Sequence, residues 1–219
     1  KEYRRQRQMC IRDSSSLCGR SFEYYSEDPY LSGKLAAGFI RGAQKQGVSA
    51  CAKHYAANAQ ELLRMHSDSV MDERTLREMY LTNFEIAIKE GKPGFVMTAY
   101  NRVNGVYANE SRHLLGDILR GEWGFDGAVV TDWGGSNSIV EGVREGMNLE
   151  MPAAGDDSPC QLVKAVKDGT IDEKIVDERV DQLLDFVLAE HKSGESSFDA
   201  AKQHQAAEAA AEKCLVLLK

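Results

Sequence analysis

The chain has 219 residues, of which 42% are hydrophobic and 28% charged, with a formal net charge of -7; this is ordinary globular composition, enough for one core and the start of another. The acidity excludes a nucleic-acid footprint, since the one basic run, Arg4 to Arg12, sits at the extreme N-terminus. Neither a run of roughly 20 apolar residues nor an apolar signal-like segment is present, so the chain reads as soluble and free of membrane contact.

Lys1 to Ser14 (KEYRRQRQMCIRDS) has neither helical nor strand periodicity and differs in composition from everything after it. Residues 1–14 are therefore expected to be disordered or non-native, in the manner of translated adapter read-through. A helical pattern runs from Leu31 to Gln46 and stops at Gly47, as a C-cap glycine dictates. Val48 to Lys53 (VSACAK) is a compact strand closing in the polar cluster Lys53-His54-Tyr55. The next helix starts at Asp72, a good N-cap, and ends at Glu90 with Gly91 beyond it; Leu76, Met79, Tyr80, Phe84, Ala87 and Ile88 share one face.

Phe95 to Tyr100 is the second predicted strand. Ser111 caps a helix through Trp123, and Ala128 to Asp132 is the third strand. A short helix near Ser136 to Glu145 leads to a fourth, Met147 to Met151, halted by Pro152. Four alternations of strand and helix specify a parallel α/β sheet with helical crossovers, either doubly wound or part of a (β/α) barrel.

Helices near Pro159 to Asp168 and Asp172 to His191 follow. Lys192 to Ser197 (KSGESS) then reads as a linker. An Ala-rich helix from Phe198 to Lys213 leads into the apolar run Cys214 to Leu218, which looks like the first strand of a second α/β domain. The expected division is 1–14, a barrel domain over 15–191, and a linker with the start of another domain over 192–219.

Working groups of such sheets gather where parallel strands end. Lys53 and His54 close the first strand, Tyr100 and Asn101 the second, Asp132 and Trp133 the third, and Glu150 lies near the end of the fourth. Each alone is more often a solvated loop residue; it is their convergence that points to a site. An acid, a cationic pair, a tyrosine and a tryptophan at one mouth suit a sugar, whose hydroxyls need charged partners and whose ring packs on aromatic faces. Neither GxxxxGK[ST] nor GxGxxG occurs, and the five histidines are dispersed without HExxH, so no phosphate cradle, metal or cofactor is expected. Five scattered cysteines (Cys10, Cys18, Cys51, Cys160, Cys214) without a CxxC pair read as free thiols in a reducing, cytoplasmic compartment.

Several motifs stand in a fixed order: LCGRSFEYYSEDP (Leu17 to Pro29), KHYAANAQE (Lys53 to Glu61), DERTLREMYL (Asp72 to Leu81), AYNRVNG (Ala99 to Gly105), EWGFDGAVVTDWG (Glu122 to Gly134) and LEMP (Leu149 to Pro152). Over residues 17–219 the chain resembles the N-terminal domain of glycoside hydrolase family 3, in its β-glucosidase branch. The resemblance implies a partial TIM-like barrel and retaining hydrolysis of β-glycosidic bonds. It assigns Asp132 as the nucleophile, with Lys53, His54, Arg20, Tyr100 and Trp133 at the sugar. Cations such as Lys53 and Arg20 suit a carboxylate that works as an anion, and Tyr100 is expected to hold Asp132 in its attack geometry.

Departures include Thr131 where the family usually has Ser and Asn148 where an acid is common. The family often has Asn at the Ala59 position and polar residues at Leu62 and Leu63, which leaves Arg64 without an assigned role. The resemblance also implies that early barrel strands and the general acid/base lie outside these residues, the latter in the C-terminal domain of the same polypeptide. The piece alone is then expected to have little activity and to be prone to aggregation. The expected substrate is a small oligosaccharide or aryl β-glycoside. A β-xylosidase or broader β-glycosidase, a non-catalytic sugar-binding domain, and an enzyme using Lys53 as a Schiff-base amine are the rival readings.

Overall fold

The computed structural model describes residues 8–12, 19–153, 155–190 and 199–215. Strands β1 (Gln8–Arg12) and β2 (Tyr24–Ser26) lead to helix α1 (Pro29–Gln44), strand β3 (Cys51–Tyr55) and the short β4 (Asp68–Ser69). A helical run over residues 73–91, α2, precedes β5 (Phe95–Thr98) and the pair β6 (Arg102–Val103) and β7 (Val106–Tyr107). Then come α3 (Arg112–Glu122), β8 (Ala128–Val130), α4 (Ile139–Glu145), α5 (Asp157–Lys167), α6 (Glu173–Glu190) and α7 (Ala200–Cys214).

One sheet has the order β2-β1-β3-β5-β8, all parallel. The alternation read from the sequence is therefore the architecture, a partial TIM-like barrel. Helices α1, α2 and α3 cover one face. Tyr55 at the end of β3 is the largest fully buried side chain; its ring meets Phe84 of α2 at 5.2 Å and Trp123 at 5.9 Å, both edge-on, and its hydroxyl donates to the Leu114 carbonyl of α3 at 2.9 Å.

Helix starts at Asp72 and Ser111 follow the sequence signals, whereas α1 starts at Pro29, ahead of the expected Leu31, under an Asp28 cap, and one helix end differs. Asp28 accepts from the Leu31 amide at 2.7 Å, Asp72 from Thr75 at 2.8 Å, and Ser111 from Leu114 at 3.2 Å. The exception is Gly91, expected beyond α2 but found as its last residue, with Lys92 taking the left-handed cap at φ 53°. Glycine is needed at 91 for room: a Cβ there would sit 3.1 Å from the Ala37 backbone of α1. Much of α2 and all of α3 use the wider i+5 hydrogen-bond register.

Three expectations are corrected. Gln8–Arg12, given no element by the sequence reading, is the strand between β2 and β3. The rest of residues 1–14 lies outside the described residues, as do the expected linker Lys192 to Ser197 and most of the run Cys214 to Leu218. The first predicted strand is displaced toward the C-terminus. Val48 is half exposed, and pairing with β1 and β5 begins at Cys51, so β3 runs on through His54 to Tyr55 instead of ending at Lys53.

The fourth predicted strand, Met147 to Met151, reduces to one bridge between Val130 and Leu149. Thr131 accounts for this: its backbone amide donates to Leu149 at 3.0 Å, but its hydroxyl accepts from the Met151 amide at 2.8 Å, replacing a ladder bond with a side-chain one. Residues 147–151 are thus a strap fastened to the end of β8.

The strap's Asn148 explains why an acid is absent at this position. Its Oδ1 accepts from Arg120 and from the Val129 amide, both at 2.8 Å, while its Nδ2 donates to the Arg179 carbonyl at 3.1 Å and to Gln182 Oε1 at 2.9 Å. An aspartate keeps the first pair and turns an oxygen against two acceptors. Asn148→Asp is expected to destabilise the domain by about 1–3 kcal/mol, read from urea midpoints; an unchanged midpoint would refute this account.

Candidate active site

The carboxyl end of the sheet brings the sequence-predicted residues together. Asp132, two residues past β8, is 8% exposed. Its Oδ1 accepts from the Trp133 amide at 2.7 Å, whereas its Oδ2 has no hydrogen-bond partner and lies 3.3 Å from His54 Nε2. That contact is at ion-pair distance but lacks hydrogen-bond alignment. It is not a charge pair either, because burial first, then the charges of Lys53, Arg20 and Arg64, hold His54 well below its usual pKa. A neutral ring therefore faces the carboxylate.

Lys53 is 5% exposed in the strand beside His54. The peptide bond joining the two is cis, and the β3–β5 pairing shifts register between Ala52 and Tyr55. Arg20, in the turn before β2, is half-buried and paired with Glu23; its charge reaches both His54 and Tyr100. Trp133 is 47% exposed, leaving much of its indole open at the rim.

Tyr100 bears on both the turn and the acid: its hydroxyl donates to the Trp133 carbonyl at 2.9 Å, and the Asp132 carboxylate lies within its hydrogen-bonding reach. Burial first, and the Asp132 charge second, push its phenol up to about 12. Two other strand-end residues are structural. Asn101 donates to the Ala56 and Arg102 carbonyls, and Glu150 accepts from Ser158 at 3.0 Å in the first turn of α5.

Arg64 is the residue that sequence reasoning left without a role. Its guanidinium stands 4.6 Å from the Tyr100 ring centroid and pairs with Glu61 at 3.0 Å. The available signal was a cation three residues after an acid inside the KHYAANAQE stretch. The β6–β7 hairpin was also missed, although Asn104-Gly105 between Val103 and Val106 announces it; both turn residues have positive φ, 51° and 89°. The Asn104 Oδ1 accepts from the Met71 amide at 2.9 Å, tying the hairpin to the loop that bears Arg64.

The depressed pKa of His54 has a measurable consequence. Its unfolded value is near 6.5 and its folded value lies lower, so the unfolded chain takes up the extra proton and stability must fall as pH drops below about 6.5. His54 therefore stabilises fully above that pH and progressively less below it. Urea midpoints at pH 7.5 and 5 are expected to converge in His54→Gln relative to the parent; an identical pH slope in both would contradict the neutral ring.

Parallel strands whose carboxyl ends bring a buried carboxylate, two cations and an open indole to one mouth define a partial (β/α)-barrel domain. The chain matches the glycosyl hydrolase family 3 N terminal domain over residues 12–186 and belongs to that family. It is 48% identical over 207 residues to thermostable beta-glucosidase B of Acetivibrio thermocellus, covering 94% of this chain and 27% of that one. It is 41% identical over 206 residues to an exo-alpha-(1->6)-L-arabinopyranosidase of Bifidobacterium longum, covering 93% and 27%. A GH3 beta-glucosidase crystal structure from Bifidobacterium adolescentis superposes with a TM-score of 0.90 at 39% identity, covering 96% of this chain and 32% of that one. The chain thus spans less than a third of the length of these relatives. Among the described residues no helix is long and apolar enough to cross a membrane, and no cluster of His, Cys, Asp or Glu is placed to hold a metal ion.

Proposed function

We propose that this chain is the nucleophile-bearing part of a retaining β-glycosidase of β-glucosidase type. The observation that carries the reading is the division of labour within one carboxylate: the Trp133 amide fixes Oδ1 of Asp132, and Oδ2 is left without a bond at the mouth of the sheet. Oδ2 attacks the anomeric carbon as the leaving oxygen departs, giving a glycosyl ester that water then hydrolyses. The neutral His54, with Lys53 and Arg20, binds the sugar's hydroxyls, and the Trp133 indole packs on its ring. Arg64 extends the cationic edge above Tyr100.

The general acid/base comes from another part of the same polypeptide, its carboxyl placed about 5–5.5 Å from that of Asp132 as retention requires. The barrel part takes in the elements from β1 to α6, so it starts before the expected residue 15, and the residues after α6 lead toward that second part. A sister specificity on the same scaffold is the second reading, since the chain is 41% identical to an arabinopyranosidase as well. The test is a 2-fluoro-2-deoxy-β-glucoside with an activated leaving group, applied to the complete polypeptide and followed by peptide mapping. The label is expected on Asp132; a label on any other carboxylate refutes the assignment.

A further inference from the structure

A pocket between the loop after β3 and helix α2 lies against the edge of His54 and has no part in the reaction as described so far. His54, Asn58, Tyr80, Asn83 and Phe84 line it, together with two alanines, and it offers about 10 Å³ to the centre of a water, room for about one molecule. Its walls are unusually rich in polar atoms that the protein does not satisfy: Nδ1 of His54 and both amide atoms of Asn58 and of Asn83 have no hydrogen-bond partner, and all three residues are buried. Leaving such buried atoms unbonded is destabilising. A single water with two donors and two acceptors can relieve several of them at once.

The ring's proton has a preferred place. Nε2 faces Oδ2 of Asp132 at 3.3 Å, and an oxygen rich in lone pairs favours an N–H there over a second lone pair. A neutral ring with its proton on Nε2 leaves Nδ1 as an acceptor, which then needs a donor from the pocket side. The side-chain donors lining the pocket are the Nδ2 groups of Asn58 and Asn83 and the Tyr80 hydroxyl, and none of them bonds Nδ1 directly.

We infer that the pocket holds one buried water that donates to Nδ1 of His54 and is held by the amides of Asn58 and Asn83, making the two asparagines positioning residues that keep the Nε2–H of His54 turned toward Asp132 and the sugar. They act through the ring, as outer partners of metal-binding histidines fix a tautomer. The groups that bear on the ring's charge are Lys53 beside it, Arg20 and Arg64 from the loops, Asp132 from the end of β8 and Tyr80 from α2. None of the charged ones is on the α2 wall of the pocket, so a charge introduced at 83 is a new influence.

The water and the tautomer stand on geometry; their effect on turnover rests on the glycosidase reading. A neutron structure of the complete polypeptide is expected to show a water within hydrogen-bond distance of Nδ1 and a proton on Nε2. A dry pocket, or a proton on Nδ1, overturns the inference. In kinetics with an aryl β-glucoside, Asn83→Leu is expected to lower kcat/KM about tenfold, the equivalent of one hydrogen bond to the ring. The near-isosteric Asn83→Asp is expected to move the acid limb of the pH profile upward, because a carboxylate beside Nδ1 favours the protonated ring. A purely structural role leaves that limb where it was, and coincident profiles for Asn83→Asp and the parent refute the positioning role. If either variant fails to fold, the parent's neutron structure still decides. If the parent hydrolyses no glycoside, the glycosidase reading fails while the water and tautomer are still judged by the same structure.

Discussion

Replacing Asp132 with alanine in the complete polypeptide is expected to lower kcat on aryl β-glucosides by roughly 10⁴-fold or more, with folding retained. Among the described residues, the neighbouring acids are engaged elsewhere: Glu150 by Ser158, Glu61 by Arg64 and Glu23 by Arg20. The loss should fall on both chemical steps, because without Oδ2 there is neither attack nor an ester to hydrolyse. Azide, small enough to enter the space left by the side chain, is expected to restore part of the rate and to give a glycosyl azide of inverted configuration. A folded Asp132→Ala variant that turns over within tenfold of the parent, or an azide product of retained configuration, would remove Asp132 from the nucleophile's place.

The second large effect is on stability. Tyr55→Ala should destabilise the domain by about 3–5 kcal/mol, since it opens a cavity where sheet, α2 and α3 meet and removes two edge-on ring contacts. Tyr55→Phe isolates the polar part. It leaves the buried Leu114 carbonyl without its donor and should cost about 1–2 kcal/mol. Chemical denaturation of the two variants beside the parent checks both figures, and equal losses would show that the hydroxyl, not the ring, dominates.

Most of the architecture was readable because helix and strand periods, caps and punctuation agreed along the chain. Asp72 and Ser111 stand where an oxygen must meet an orphan amide, and helices start there; the same signal at Asp28 was passed over, and α1 was begun at Leu31. Strand ends were less legible. Alternation of side chains cannot place a boundary in a strand covered on both faces, so the strand was ended at Lys53, although pairing with β5 carries it through His54 to Tyr55. The strap 147–151 has a strand's composition, but the Thr131 hydroxyl competes for its backbone, a tertiary contact that no local pattern announces. Gly91 reads as a stop signal yet is required by the approach of α1.

At the site, residue types at strand ends marked Asp132, His54, Lys53 and Trp133, and the family's motifs added Arg20. Partners were another matter. Whether the Tyr100 hydroxyl meets the carboxylate or the next carbonyl depends on an angle set by the Trp133 turn, and the arrival of Arg64 over its ring depends on a loop pinned through Asn104. Asn58 and Asn83, 25 positions apart in the chain, share a pocket only because α2 folds back over the end of β3.

The turn bearing Asp132 is bonded on both sides: Gly135 donates to the Asp132 carbonyl at 2.8 Å, Gly134 to the Met151 carbonyl at 3.0 Å, and Thr131 is bonded to Leu149 and Met151. Although fourteen residues of chain lie between Asp132 and the strap, the two are joined directly by these bonds. Evolutionary drift or engineering at Leu149 to Pro152 should therefore be felt first as altered turnover numbers, well before any change in how firmly substrate is held.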